Sequence, residues 1–273
     1  MIDKMVVNLH LLDACNFNCE FCFAHFEAKH VLPFGSWKAI VDNVLDSHDV
    51  RRFNLAGGEP LLYKDLLKLT GYIRSRGSEV SIITNGYGLS RQKVDALHEY
   101  GMSMIGFSID SANPATLRRL GRRTAAGDIL EPATGLDLCR HIREKGIALK
   151  INTTVSQLNC GENFSAFVQD ALPERWKLLK VKKFKSSTFD NSPLLINDVQ
   201  FDGFVRRHSV FRPIVERTMA NAYIMIDAFG NLVDTGSYNN SPVADLQRTN
   251  FRDAFSRIEQ KFDYAAHNAR YAA

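Results

Sequence analysis

Between residues 5 and 182 six strand-like runs alternate with helix-like ones, and this alternation leaves few folds open. Residues 5–12 (MVVNLHLL) read as the first strand. Ser36 is placed to cap a helix whose apolar face is Trp37, Ile40, Val41, Val44 and Leu45. Residues 51–56 form a second strand, closed by Gly57-Gly58, and Leu66, Leu67, Leu69, Tyr72 and Ile73 lie on the next helix. Residues 79–84 (EVSIIT) end at Asn85-Gly86, and Val94, Leu97 and Tyr100 follow at helical spacing. Residues 104–109 make a fourth strand; Leu136, Leu138, Cys139 and Ile142 mark a helix stopped by Gly146. Residues 147–155 and 176–182 are the fifth and sixth strands.

Such alternation implies an α/β protein, a parallel sheet with helices outside it. Right-handed crossovers favour an open, curved sheet or a partial barrel, with functional groups at the carboxyl ends of the strands. The pattern changes after residue 212. Residues 223–227 and 232–233, split by Gly230-Asn231, read as a β-hairpin, and the last forty residues as helix or coil. The expected division is therefore a barrel over residues 1–212 and an extension over 213–273 that packs on it without being an independent domain. A chain of 273 residues, 45% apolar, can build such a core without disulfides or structural metal. No 18-residue apolar run is present, so no membrane-spanning helix is expected; no membrane partner is expected either. The N-terminus lacks the pattern of a secretion signal, which makes the cytoplasm the expected location.

The strongest chemical signal lies in the loop after the first strand: Cys15, Cys19 and Cys22, spaced C-x3-C-x2-C. An oxidised framework would not crowd three of five cysteines into eight residues. Three thiolates at this spacing can wrap one small metal centre. A zinc ion would want a fourth ligand, for which His10, His25 and His30 are near in sequence. An iron–sulfur cube held by three cysteines keeps one iron open for a substrate or cofactor. Three buried structural thiols are the remaining reading. The second signal is Gly57-Gly58-Glu59-Pro60, where two glycines permit close backbone approach and a carboxylate can meet an ammonium. The net charge of +4 does not argue for nucleic-acid binding. Basic clusters at residues 118–123 and 177–185 read either as solvated faces or as a site for phosphates.

The three-cysteine loop followed by GGEP resembles the radical S-adenosylmethionine enzymes. That resemblance implies a partial (β/α)6 barrel, a 4Fe–4S cluster, and S-adenosyl-L-methionine bound to its open iron and cleaved to a 5′-deoxyadenosyl radical. The stretches CNFNCEFCF, VLP (31–33), NLAGGEP, VSIITNG, FSIDS, LGR (120–122), LKIN (149–152) and RWK (175–177) are similar in order and spacing to the viperin-like enzymes, from Asn8 to Asp234. Those enzymes convert a nucleoside triphosphate to its 3′-deoxy-3′,4′-didehydro analogue, an antiviral chain terminator. The resemblance implies hydrogen abstraction from C4′ of the ribose and departure of the 3′-hydroxyl as water.

By the same resemblance, Cys15, Cys19 and Cys22 match the cluster ligands. Phe21, Gly57, Gly58, Glu59, Asn85, Ser108 and Arg122 match positions that hold S-adenosylmethionine. Asn8, Arg52, Lys150, Asn152, Arg175 and Lys177 match nucleotide-binding positions. Tyr223 matches a tyrosine near the sugar, which with Lys150 makes up the expected catalytic pair. The implied partners are CTP, UTP or GTP and an electron donor such as flavodoxin or ferredoxin, without direct nucleic-acid binding. The C-terminus departs from the family pattern. An Arg-Gly-Gly segment followed by Tyr and Trp is replaced by FDYAAHNARYAA, where Arg270 and Tyr271 alone echo it, and Pro213-Ile-Val-Glu216 shifts the position of a carboxylate. A radical enzyme with another substrate, or a non-catalytic zinc-binding protein, are the competing readings.

Overall fold

The computed structural model describes residues 5–22, 30–185, 189–217, 220–236 and 241–271. Six strand–helix units come first. They are β1 (Met5–His10) with α1 (Phe34–Ser47), β2 (Val50–Ala56) with α2 (Leu66–Ser75), and β3 (Glu79–Thr84) with α3 (Arg91–Glu99). Next come β4 (Met104–Ser108) with α4 (Pro114–Arg119) and α5 (Pro132–Glu144), β5 (Ala148–Val155) with α6 (Ser165–Ala171), and β6 (Arg175–Lys180) with α7 (Asp198–Arg207). Then follow β7 (Ile214–Glu216), β8 (Ile224–Ile226), β9 (Asn231–Asp234), β10 (Ser241–Asp245), α8 (Phe251–Glu259) and α9 (Tyr264–Tyr271).

All ten strands form one sheet in the order β10-β9-β8-β1-β2-β3-β4-β5-β6-β7. Neighbours from β1 to β7 pair in parallel, and β8 is parallel to β1. The expected hairpin is present as antiparallel β8 and β9. Two strands escape the pattern reading. β7 has three residues, too few to show alternation, and β10 contains Pro242 and pairs only at the sheet's edge. The first helix begins at Phe34, with Pro33 at its cap and no side-chain bond; Ser36 lies inside it. The rigid φ of proline supplies the entry that a serine cap would otherwise give.

The core lies between the sheet and the helices. α1 buries Trp37, Ile40, Val41 and Val44, and α8 buries Phe251, Ala254, Phe255 and Ile258 at the same i, i+3, i+4, i+7 spacing. Each Val, Ile and Phe among them contributes about 1.5–3 kcal/mol on burial. Asn43 of α1 ties the two helices: its Nδ2 donates to Leu246 O and Thr249 O, and its Oδ1 accepts from Phe251 N, all at 2.9 Å. Cys139 is wholly buried on α5, as its apolar neighbours suggested. Among the described residues no helix is long and apolar enough to cross a membrane.

Two buried histidines are locked neutral by their partners. His208 Nε2 faces the Phe164 N–H at 2.8 Å, so it accepts, and Nδ1–H donates to Phe204 O at 2.8 Å. His267 on α9 repeats this with Val6 N–H (3.3 Å) and Ala222 O (3.0 Å), filling the place beside β1 where the pairing with β8 has ended. Burial lowers both, and it holds the cavity-lining His10 down to about 4. The folded pKa lies below the unfolded value, so the unfolded chain takes up protons first as pH falls. Stability from these groups is complete above about pH 6.5 and is lost as pH falls from there toward 4. Thermal melts between pH 7.5 and 5 check this: Tm is expected to drop, and less steeply in His208→Gln.

Candidate active site

Register places the site. In a parallel sheet, paired residues point the same way and faces alternate along each strand. Lys150 pairs with Arg175 and Asn152 with Lys177, while Ser108 pairs with Asn152 and Asn8 with Asn54. These side chains therefore share the concave face, and Leu149, Ile151 and Thr153 turn into the core. The face lines a cavity of about 300 Å³ at the carboxyl ends of the strands. Asn8, Cys15, Cys19, Phe21, Cys22, Arg52, Gly57, Gly58, Glu59, Asn85, Ser108, Arg122, Lys150, Asn152, Arg175, Lys177 and Tyr223 all border it. Of the lysine-rich run at 177–185, Lys177, Lys180 and Lys182 reach the cavity while Lys183 and Lys185 are exposed.

The cysteine loop is clamped from both sides by backbone. Gly58 N donates to Leu12 O and Glu59 N to Ala14 O, both at 2.8 Å. A Cβ on Gly58 would stand 2.1 Å from Ala14 O, and one on Gly57, whose φ is +134°, 2.8 Å from Leu12 O. The close approach these glycines permit is thus to the loop itself. On the other side, Glu20 N donates to Leu120 O at 3.0 Å, and Gly121 (φ +72°) passes Asn18 where a Cβ would come within 2.1 Å.

Buried Glu59 is oriented by three donors. Thr84 Oγ1 (2.6 Å) and Leu61 N (3.0 Å) reach Oε1, and Asn85 N (2.8 Å) reaches Oε2. Burial raises its pKa against these bonds. A carboxylate offers about four lone pairs, so Oε2 keeps capacity for a cationic ligand. Asn85 in turn donates to Asn16 Oδ1 at 2.7 Å and to Cys15 Sγ at 3.9 Å. Arg122 is buried, pairs through Nε with Asp110, and lies 5.2 Å from the Phe21 ring centre. Burial works against its charge, but Asp110 and the Cys19 thiol raise its pKa. Burial pushes the Cys19 thiol up to about 12, and Arg122 opposes that.

Further up the cavity Lys150 meets like charges. Burial and then the nearby Lys177 lower its pKa well below the lysine range; Arg52 and Arg175 add to this, and Glu216 opposes it. The Oδ1 of buried Asn152 has no hydrogen-bond partner among the described residues, an acceptor poised for a ligand's donor. A polar row crosses three strands. Ser81 Oγ donates to Asn54 Oδ1 (3.0 Å) and Asn54 Nδ2 to Asn8 Oδ1 (2.7 Å), while Asn8 Nδ2 donates to Tyr271 Oη (3.2 Å) and Ile224 O (3.1 Å).

Asp110, Asn54, Glu216 and Tyr271 were not assigned by sequence reasoning. Asn54 lies two residues after Arg52 and Asp110 two after Ser108, so strand alternation could have found them. Tyr271 comes to Asn8 from 263 positions away, which no local pattern encodes.

The donor set suits a cluster. Among the described residues no three His, Cys, Asp or Glu side chains converge tightly enough for one metal ion. His25 lies outside the described residues, and His30 stacks on Phe229 with centroids 4.1 Å apart. The three thiols opening on one cavity suit a cluster, whose ligands need not meet at a point.

The Radical SAM superfamily matches residues 9–163, more than half of the chain. The S-adenosylmethionine-dependent nucleotide dehydratase of Selenomonas ruminantium is 36% identical over 97% of this chain and 98% of its own length. That of Flammeovirga pacifica is 32% identical over 94% and 91%. The S-adenosylmethionine-dependent nucleotide dehydratase RSAD2 of Oncorhynchus mykiss is 26% identical over 93% and 77%. Among solved structures, anSMEcpe with bound AdoMet and a peptide superposes with a TM-score of 0.74 at 12% identity, covering 96% of this chain and 83% of that one, which shows the fold. The chain belongs to the radical SAM superfamily and, within it, to the S-adenosylmethionine-dependent nucleotide dehydratases. Its cofactors are accordingly S-adenosylmethionine and a 4Fe–4S cluster.

Gly58→Ala tests the clamp. The methyl group must displace Ala14, at a cost of about 1–3 kcal/mol or more. Anaerobic reconstitution of this variant is expected to yield less than about a third of the wild-type visible iron–sulfur absorbance per chain. Full incorporation would show that the clamp is dispensable.

Proposed function

We propose that this enzyme dehydrates a nucleoside triphosphate, CTP, UTP or GTP, to its 3′-deoxy-3′,4′-didehydro analogue, with flavodoxin or ferredoxin as electron donor. The observation that carries this reading is the convergence of Arg52, Lys150, Arg175 and Lys177 on one cavity beside the cysteine loop. A triphosphate brings nearly four negative charges and needs several charge-assisted donors. Cys15, Cys19 and Cys22 hold the cluster, which with S-adenosylmethionine supplies the radical that opens the reaction. Glu59 accepts from the methionyl ammonium. Phe21, Asn85, Ser108 and Arg122 line the rest of that cofactor's seat, while Gly57 and Gly58 bring the loop close. Asn8 and Asn152 contact the sugar or phosphates. Tyr223 stands near the sugar and keeps its phenol proton, because burial and Glu216 raise its pKa far above the usual range; in the empty site that proton is held by Glu216. The protein's contribution is orientation and exclusion of water.

The anaerobic protein, with dithionite, S-adenosylmethionine and each of ATP, CTP, GTP and UTP separately, is expected to release 5′-deoxyadenosine and one nucleotide lighter by a water, read by mass spectrometry. Equal low release in every tube would discard the triphosphate. Lys150→Ala is expected to raise KM about 10- to 100-fold, as loss of a charge-assisted bond. Cys19→Ala is expected to cleave no S-adenosylmethionine.

Proton linkage offers a separate check. Burial and then its cationic neighbours depress Lys150 in the free site, and a bound polyanion reverses the repulsion. At pH values below the ordinary lysine range, nucleotide binding should be accompanied by proton uptake. Calorimetry in buffers of different ionisation enthalpy measures this, and Lys150→Met should abolish it.

A further inference from the structure

β7 and β8 are consecutive in the chain yet lie apart in the sheet, β7 at one edge beside β6 and β8 beside β1. No backbone ladder joins them among the described residues. Glu216, the last residue of β7, spans this seam with its side chain. Tyr223, just before β8, donates its hydroxyl to both carboxylate oxygens at 2.8 and 3.0 Å. Lys177 Nζ of β6 lies 2.9 Å from Oε2, and Arg270 of α9 pairs with Oε1. The Arg270 guanidinium also lies 4.1 Å from the centre of the Tyr223 ring. The Glu216 side chain is 5% exposed.

A buried carboxylate is tolerated only when donors surround it. Here the donors come from three separate elements, β6, α9 and the residue ahead of β8. In a cavity meant for phosphate, a fixed negative charge opposes the ligand. Attraction alone would favour a neutral residue at this place, so the carboxylate answers to a geometric need. Without it, Lys177 and Arg270 would repel each other, and the Tyr223 phenol would lose the acceptor that sets its rotation.

We infer that Glu216 is a positioning residue: its side chain latches the C-terminal helix across the open seam of the sheet and fixes the Tyr223 phenol at the substrate cavity. Its effect on turnover rests on the nucleotide reading given above; the latch does not.

The test uses the reconstituted, cluster-loaded enzyme with two readouts, amide hydrogen exchange of residues 264–271 and the ratio of 5′-deoxyadenosine to dehydrated nucleotide. Glu216→Gln keeps the shape and removes the charge. It is expected to speed exchange in 264–271 at least about tenfold. Its kcat should fall about 10- to 100-fold while KM moves less than about threefold, with excess 5′-deoxyadenosine per product. Arg270→Ala, which keeps the carboxylate and covers the case of a misfolded Glu216 variant, should speed the same exchange. It should remain better coupled than Glu216→Gln, because Tyr223 still has both carboxylate oxygens as acceptors. Unchanged exchange in both variants overturns the latch. Tighter nucleotide binding by Glu216→Gln with unchanged kcat and coupling overturns the positioning role and makes the residue a counter-charge. If the wild-type enzyme dehydrates no nucleotide, the functional reading fails by itself, and the exchange measurement still decides the latch.

Discussion

The contact on which the rest of this structure depends is backbone against backbone. The loop bearing Cys15, Cys19 and Cys22 has little regular structure of its own. It is held because Gly57 and Gly58 on one side and Gly121 on the other have no Cβ to keep it away. The bonds from Gly58 N and Glu59 N then fix its entry, and the bond from Glu20 N to Leu120 O fixes its far side. Glu59 follows directly in the chain, and its carboxylate is aimed by Thr84 and Asn85 at the end of the next strand. Three strand ends and one helix end thus converge on one loop. The glycines are a packing requirement before they are a ligand requirement.

The cavity divides into regions of different electrostatic character. Near the cysteines, charge is matched internally, as Arg122 meets Asp110 in a buried pair. Further up, like charges gather: Lys150 lies near Lys177, Arg52 and Arg175, and Glu216 opposes their effect on it. Burial first, and then the repulsion of these neighbours, lowers the pKa of Lys150 in the empty protein. A bound polyanion relieves it, so substrate binding and local stability are coupled.

Much of this architecture was legible in the sequence because strand alternation and register carry it. Once residues 147–155 are a strand, Lys150, Asn152 and Thr154 must share a face, and pairing brings Arg175 and Lys177 beside them. The cysteine spacing and GGEP likewise act within short stretches. What could not be read depends on long-range packing. β7 is too short to show a period. The position of α9 is set by His267 beside β1 and by Arg270 at Glu216, contacts that join residues far apart in the chain. The start of α1 was misplaced for a local reason, because a proline cap leaves no polar signature.

The amide row across the sheet has a direction. Ser81 donates to Asn54, Asn54 to Asn8, and Asn8 to the oxygen of Tyr271. Because each amide is committed at both ends, none can flip without breaking its neighbour's bond. Tyr271 is therefore the acceptor at the end of a polarised wire, and among the described residues nothing takes its own hydrogen. Whatever enters the cavity at that point meets the far end of this row, so the orientation set at Ser81 on the third strand is handed across the sheet to the cavity wall.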